Sequence, residues 1–174
     1  MRIAVSQTDA AMRSLEASIA RLTACEDIRA CVYTYAMAGD RGNEPRIMGG
    51  LFTRTATYEA RGIARLEGLD AILEGLAKVA RELVVWSFHA PSGPLITLAE
   101  DARSAKVFWW VWIPASLRDE QGGQTPHWAA GHYNADMVVE DGRWKFQRVL
   151  FETRLRTPFA GPWTPVDGPF EWPA

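Results

Sequence analysis

The chain has 174 residues, 48% of them hydrophobic and 23% charged, which suits a single domain with a real core and argues against long disorder. Nineteen basic against 21 acidic side chains give a formal charge of −2 with no cationic run, so neither nucleic acid nor an acidic membrane surface is an expected partner. There is no apolar run of about 18 residues to span a bilayer, and MRIAVSQTDA makes a poor signal peptide, so the expected location is the cytoplasm.

In chain order, MRSLEASIARL (residues 12–22) reads as a short amphipathic helix with Leu15, Ile19 and Leu22 on one stripe. Thr23 and Glu26 form a T-x-x-E capping box ahead of a second helix over 24–38, with Ile28, Cys31, Val32 and Tyr35 at helical spacing and Gly39 at its end. Cys25 and Cys31, six apart, suit neither a disulfide nor a metal pair, and read as small buried groups in a reducing compartment. A glycine- and arginine-rich connection runs from Arg41 to Gly50, followed by a strand pattern over 51–62 and a third helix over 68–82.

From Val84 the period becomes two, giving strands at 84–90, 93–100, 105–114, 127–140 and 143–155; Asp141-Gly142 signals a tight hairpin. Residues 1–156 thus form one domain. The last 18 residues hold five prolines with Phe159, Trp163, Phe170 and Trp172, the composition of an ordered arm laid over a surface or a neighbouring subunit. Helices first and antiparallel strands afterwards give an α+β layer fold, with room for an apolar pocket between a curved sheet and its helices.

The segments IRACVYTYAMAGD (28–40), YEARGIARLEGLDAILEGL (58–76), FHAPSGPLITLAEDARSAKV (88–107) and GHYNADMVVEDGRWKFQRV (131–149) together resemble the SnoaL-like branch of the NTF2-like superfamily. The resemblance implies a cone of curved antiparallel sheet closed by N-terminal helices, in a homo-oligomer, with a trimer ahead of a dimer. Functions found on such cones include dehydratases, dehydrohalogenases, ketosteroid isomerases, polyketide cyclases and non-catalytic binding domains, so fold alone does not choose.

Position by position, Asp40 matches the aspartate that orients the catalytic histidine in dehydrochlorinase and bile-acid dehydratase relatives, and His89 matches that histidine. Gly93 stands where relatives often place an asparagine. Tyr35 matches a pocket tyrosine of the dehydratase type. The relatives' catalytic arginine falls on Val149 here, beside Arg148, which a regular strand would turn the other way unless a β-bulge re-aims it.

Read on their own chemistry, a strand histidine can take a proton near neutral pH, and a helix-end carboxylate can hold its tautomer. A tyrosine hydroxyl can polarise a carbonyl or assist a departing hydroxyl. Trp86, Phe88, Trp110 and Trp112 are expected to wall the pocket, with His132 and Asn134 on a neighbouring strand as secondary candidates, while His127 reads as a surface residue. No zinc, iron or nucleotide motif appears, so neither metal nor cofactor is expected. The expected function is a cofactor-independent lyase, a dehydratase of a small apolar ring compound with an activating carbonyl, with a His–Asp dyad as base. The alternatives are a ketosteroid-type isomerase or polyketide cyclase, and a non-catalytic domain binding a small ligand or partner.

Overall fold

The computed structural model describes residues 2–160. The expected pair of N-terminal helices is one, α1, Arg2–Asp40. Thr23 caps nothing: Glu26 pairs with Arg29 one turn on, and the alanines around the junction propagate the helix through it. The Leu15, Ile19 and Leu22 stripe stays exposed, and burial begins at Ala24 and continues through Ile28, Val32 and Tyr35.

The connection after α1 is not all loop. Pro45–Leu51 forms α2, with Pro45 pre-set at its first turn, Glu44 accepting the Arg46 amide, and Met48 and Leu51 buried. Then come β1 (Phe52–Ala60), β2 (Ala64–Glu67), α3 (Leu69–Glu82), β3 (Val84–Ser87), β4 (Ala90–Pro91), β5 (Leu95–Leu98), β6 (Ser104–Arg118), β7 (Gln124–Glu140) and β8 (Arg143–Pro158).

The strands form one sheet in the order β2-β1-β8-β7-β6-β3, with β4 and β5 following β3 along the same edge of β6. All pairings are antiparallel except β1 with β8, which is parallel. Asp141 and Gly142 turn the β7–β8 hairpin with φ of 52° and 73°, the two positive values that such a two-residue turn requires. The sheet curls around α1 and α3. Phe52, Trp109 and Phe146 are fully buried between the layers, each stabilising the fold by roughly 1.5–3 kcal/mol.

Two bulges lie in β8. Register slips between Asp136 and Met137 leave Gln147 unpaired with β7, and slips between Ala130 and Gly131 leave Arg154 so. Thr157 and Pro158 of the expected arm complete β8, and the Phe159 ring sits 5.3 Å from Trp128. Trp163, Phe170, Trp172 and the rest of the arm fall outside the described residues. Among the described residues no helix is long and apolar enough to cross a membrane.

Candidate active site

Asp40 is the last residue of α1, where a carboxylate faces the unfavourable end of the helix dipole. His89 lies in the break between β3 and β4, and it supplies the compensation. Its ring Nδ1 is 2.6 Å from Asp40 Oδ1, and its backbone N–H donates to the same oxygen at 2.8 Å. Both side chains are mostly buried, at 18% and 24% exposure. Because a carboxylate only accepts, Nδ1 carries the proton and the neutral ring presents an unprotonated Nε2. The ring also rests against Gly39, where a Cβ would stand 3.0 Å from Cε1 and 3.2 Å from Nδ1, so any larger residue would press the imidazole out of this seat by a few tenths of an ångström.

These groups open onto a cavity of about 230 Å³. Its apolar wall comes from α3 (Leu76, Val79), from β6 (Ile113, Leu117) and from Phe151. Tyr35 lines it from α1, although residues five apart on a helix diverge by about 140°. Asp40 reaches the same space because α1 ends there.

Tyr35 is not alone. Tyr58 of β1 and Tyr133 of β7 also line the cavity, and the Tyr35 and Tyr133 rings meet edge-on at 5.6 Å. Burial pushes the Tyr35 and Tyr133 phenols well above the ordinary tyrosine range; the neighbouring Tyr133 and Tyr58 add to Tyr35's rise, and Tyr58 adds to Tyr133's against the hydrogen bond from Tyr35. Burial likewise raises Tyr58, against the hydrogen bond from Tyr35. All three therefore stay protonated and serve as hydrogen-bond donors. Tyr58 and Tyr133 escaped the sequence reading, yet a signal was present: each is the one bulky residue among small same-face neighbours, Ala56 and Ala60 in one strand, Gly131 and Ala135 in the other.

Of the expected aromatic wall, only Trp86 lines the cavity. Phe88 is half exposed and does not line it. Trp110 and Trp112 do share a face, as the alternation requires, but it is the sheet's outer face; the inner face carries Trp109, stacked on Tyr133 at 4.8 Å. His132 and Asn134 also lie on that outer side, so neither reaches the cavity.

Arg148 needs the same correction. The bulge that could have re-aimed it is there, at Gln147, whose side chain reaches Thr53 and Thr55 of β1. Beyond the bulge Arg148 still faces outward, 3.7 Å from Asp136. The arginine that does line the cavity is Arg156, placed there by the second bulge: its register partner is Ala129, another lining residue. His127, expected at the surface, lines the cavity as well and donates Nδ1–H to the Thr125 carbonyl at 2.9 Å.

On the outer face, His132 is buried against Phe108 and Trp110 with Nε2 3.1 Å from Glu152, which also pairs with Arg61. Burial holds this imidazole below the usual 6.5, against the pull of Glu152. Protons are then taken up by the unfolded chain before the folded one, so stability falls as pH drops below about 6.5 and is unaffected by this group above it. Thermal melts should show a decline of roughly 2–4 °C from about pH 7 to about pH 5.5 that His132→Gln largely removes. Equal slopes in the two proteins would show that His132 is not the cause.

A helix-closed, strongly curled sheet with its polar groups gathered inside the curl is the cone of the NTF2-like class. The SnoaL-like domain model matches residues 20–149, and the chain belongs to that family. Among solved structures it is similar to a candidate scytalone dehydratase from Novosphingobium aromaticivorans, at 20% identity and TM-score 0.73, over 88% of this chain and 99% of the other. A hexachlorocyclohexane dehydrochlorinase, LinA-type3 of Novosphingobium barchaimii, is 18% identical with TM-score 0.74, over 87% and 99%. An NTF2-like superfamily protein of Salmonella enterica is 15% identical with TM-score 0.65, over 74% and 89%. At these identities the likeness is one of fold. No curated protein matches the sequence.

Proposed function

We propose that this protein is a cofactor-independent lyase that removes water from a small ring compound bearing an activating carbonyl. The observation that carries the reading is the Asp40–His89 contact of 2.6 Å, opening onto a cavity with three tyrosine hydroxyls. His89 Nε2 takes the carbon-bound proton next to the carbonyl. Asp40 holds Nδ1–H in place and stabilises the imidazolium that forms. The tyrosines, kept protonated by burial, donate hydrogen bonds to the oxygen on which enolate charge gathers and to the departing hydroxyl, which takes the proton back from the His89 imidazolium and leaves as water. A neutral imidazole is too weak a base for an unactivated C–H bond, which is why the carbonyl is required.

The cavity is smaller than the ~300–1,000 Å³ of drug-sized sites, which favours one or two rings. Two of the similar folds are described as a dehydratase and a dehydrochlorinase, both eliminations, and they support the lyase class. The test is a screen of one- and two-ring β-hydroxy ketones in deuterium oxide, followed by NMR. A dehydratase yields unsaturated ketone; an isomerase or cyclase exchanges the acidic C–H without losing the hydroxyl. If nothing in the screen exchanges or reacts, the proton-transfer reading is lost and a ligand-binding domain takes its place.

A further inference from the structure

The proton-transfer scheme leaves one charged group of the cavity without a task. Among the described residues, and apart from histidines, the charged side chains lining it are Asp40 and Arg156. Asp40 is engaged by His89, whereas Arg156 has no carboxylate partner among the described residues. His127 lines the cavity too, but its Nδ1–H is already spent on the Thr125 carbonyl.

The position of Arg156 is built rather than incidental. In an unbroken strand it would share the outward face of Arg148 and Glu152; the extra residue at Arg154 turns it inward. Small Ala129 lies opposite it in register, and Arg156 is itself exposed, so it lines the cavity where the cavity meets solvent. We propose that Arg156 is a specificity-determining residue, and that the ligand of this cavity is a one- or two-ring carboxylate held by its guanidinium. The planar fork donates two parallel N–H bonds to the carboxylate, leaving the ring to extend toward His89. A phosphate monoester, carrying nearly two charges, would need more donors than this single cation supplies.

The inference rests on the cavity being the substrate site, but not on proton transfer, and binding can be read without turnover. Calorimetric titration of the full chain with benzoate, cinnamate, 1-naphthoate and 2-naphthoate, each beside its neutral amide, provides the test. At least one acid should bind tenfold or more tightly than its amide at low salt, a margin that half-molar salt narrows. Arg156→Gln should bring acid and amide within about twofold, and Arg156→Lys should restore part of the margin. His89→Gln should leave the margin intact, which separates this proposal from the base reading. If no acid outbinds its amide, or if Arg156→Gln keeps the margin while its thermal transition stays at the wild-type temperature, the proposal is overturned.

Discussion

Replacing Asp40 by asparagine is expected to lower kcat on the substrate found by the screen by about 10²–10⁴-fold, with the fold intact. The amide oxygen can still accept the Nδ1–H and the backbone N–H of His89, so the ring keeps its seat on Gly39. What disappears is the negative charge that stabilises the imidazolium, and with it the preference for the tautomer that bares Nε2. His89→Ala removes the base outright and should cost at least about 100-fold. KM should move little in either case, because the proton is in flight only in the transition state. Circular dichroism and a thermal melt check the fold. A turnover within threefold of wild type in both variants would sink the base assignment, whatever the cavity binds.

Asp40 and His89 could be paired from the sequence because a family pattern spans their 49-residue separation; strand periodicity alone left His89 undecided. The large elements were also readable, since α3, the long strands and the Asp141-Gly142 hairpin each carry a local signal. Three things were not. Alternation says which tryptophans share a face but not which face is enclosed, and both faces of β6 are aromatic, so the expectation that Trp110 and Trp112 wall the pocket picks the wrong side. Bulges change the parity of everything beyond them, and neither Gln147 nor Arg154 announces itself by composition. A regular strand would put Arg148 and Arg156 on one face; the bulge at Arg154 parts them, leaving Arg148 outside and turning Arg156 inward. The break expected at Thr23 failed because a capping box is a weak signal inside an alanine-rich helix.

The second large effect concerns the bulge that brings Arg156 inward. Gly131 of β7 faces Thr153, immediately before the unpaired Arg154, and a Cβ there would lie 2.3 Å from the Glu152 carbonyl oxygen and 2.9 Å from the Phe151 ring. The obstructing atom is backbone in the middle of the sheet, so it cannot swing aside as a side chain could. Gly131→Ala should therefore cost at least about 3 kcal/mol, lowering the melting temperature by roughly 6–12 °C. Gly123 provides the control. A Cβ there would lie 2.5 Å from Asp119 Oδ2, nearly as close, but that is the tip of a partly exposed side chain in the β6–β7 turn; turning it aside loosens only its bonds from the Gln121 and Gly123 amides, and Gly123→Ala should cost about 1 kcal/mol. Any Gly131→Ala molecules that stay folded must relieve the overlap by opening or shifting the bulge. Losing the extra residue would return Arg156 to the outer face, so the surviving fold should also lose its tenfold preference for a carboxylate over its amide. Equal melting temperatures for the two alanine variants would mean that β7 and β8 do not approach as closely at Gly131 as the register requires.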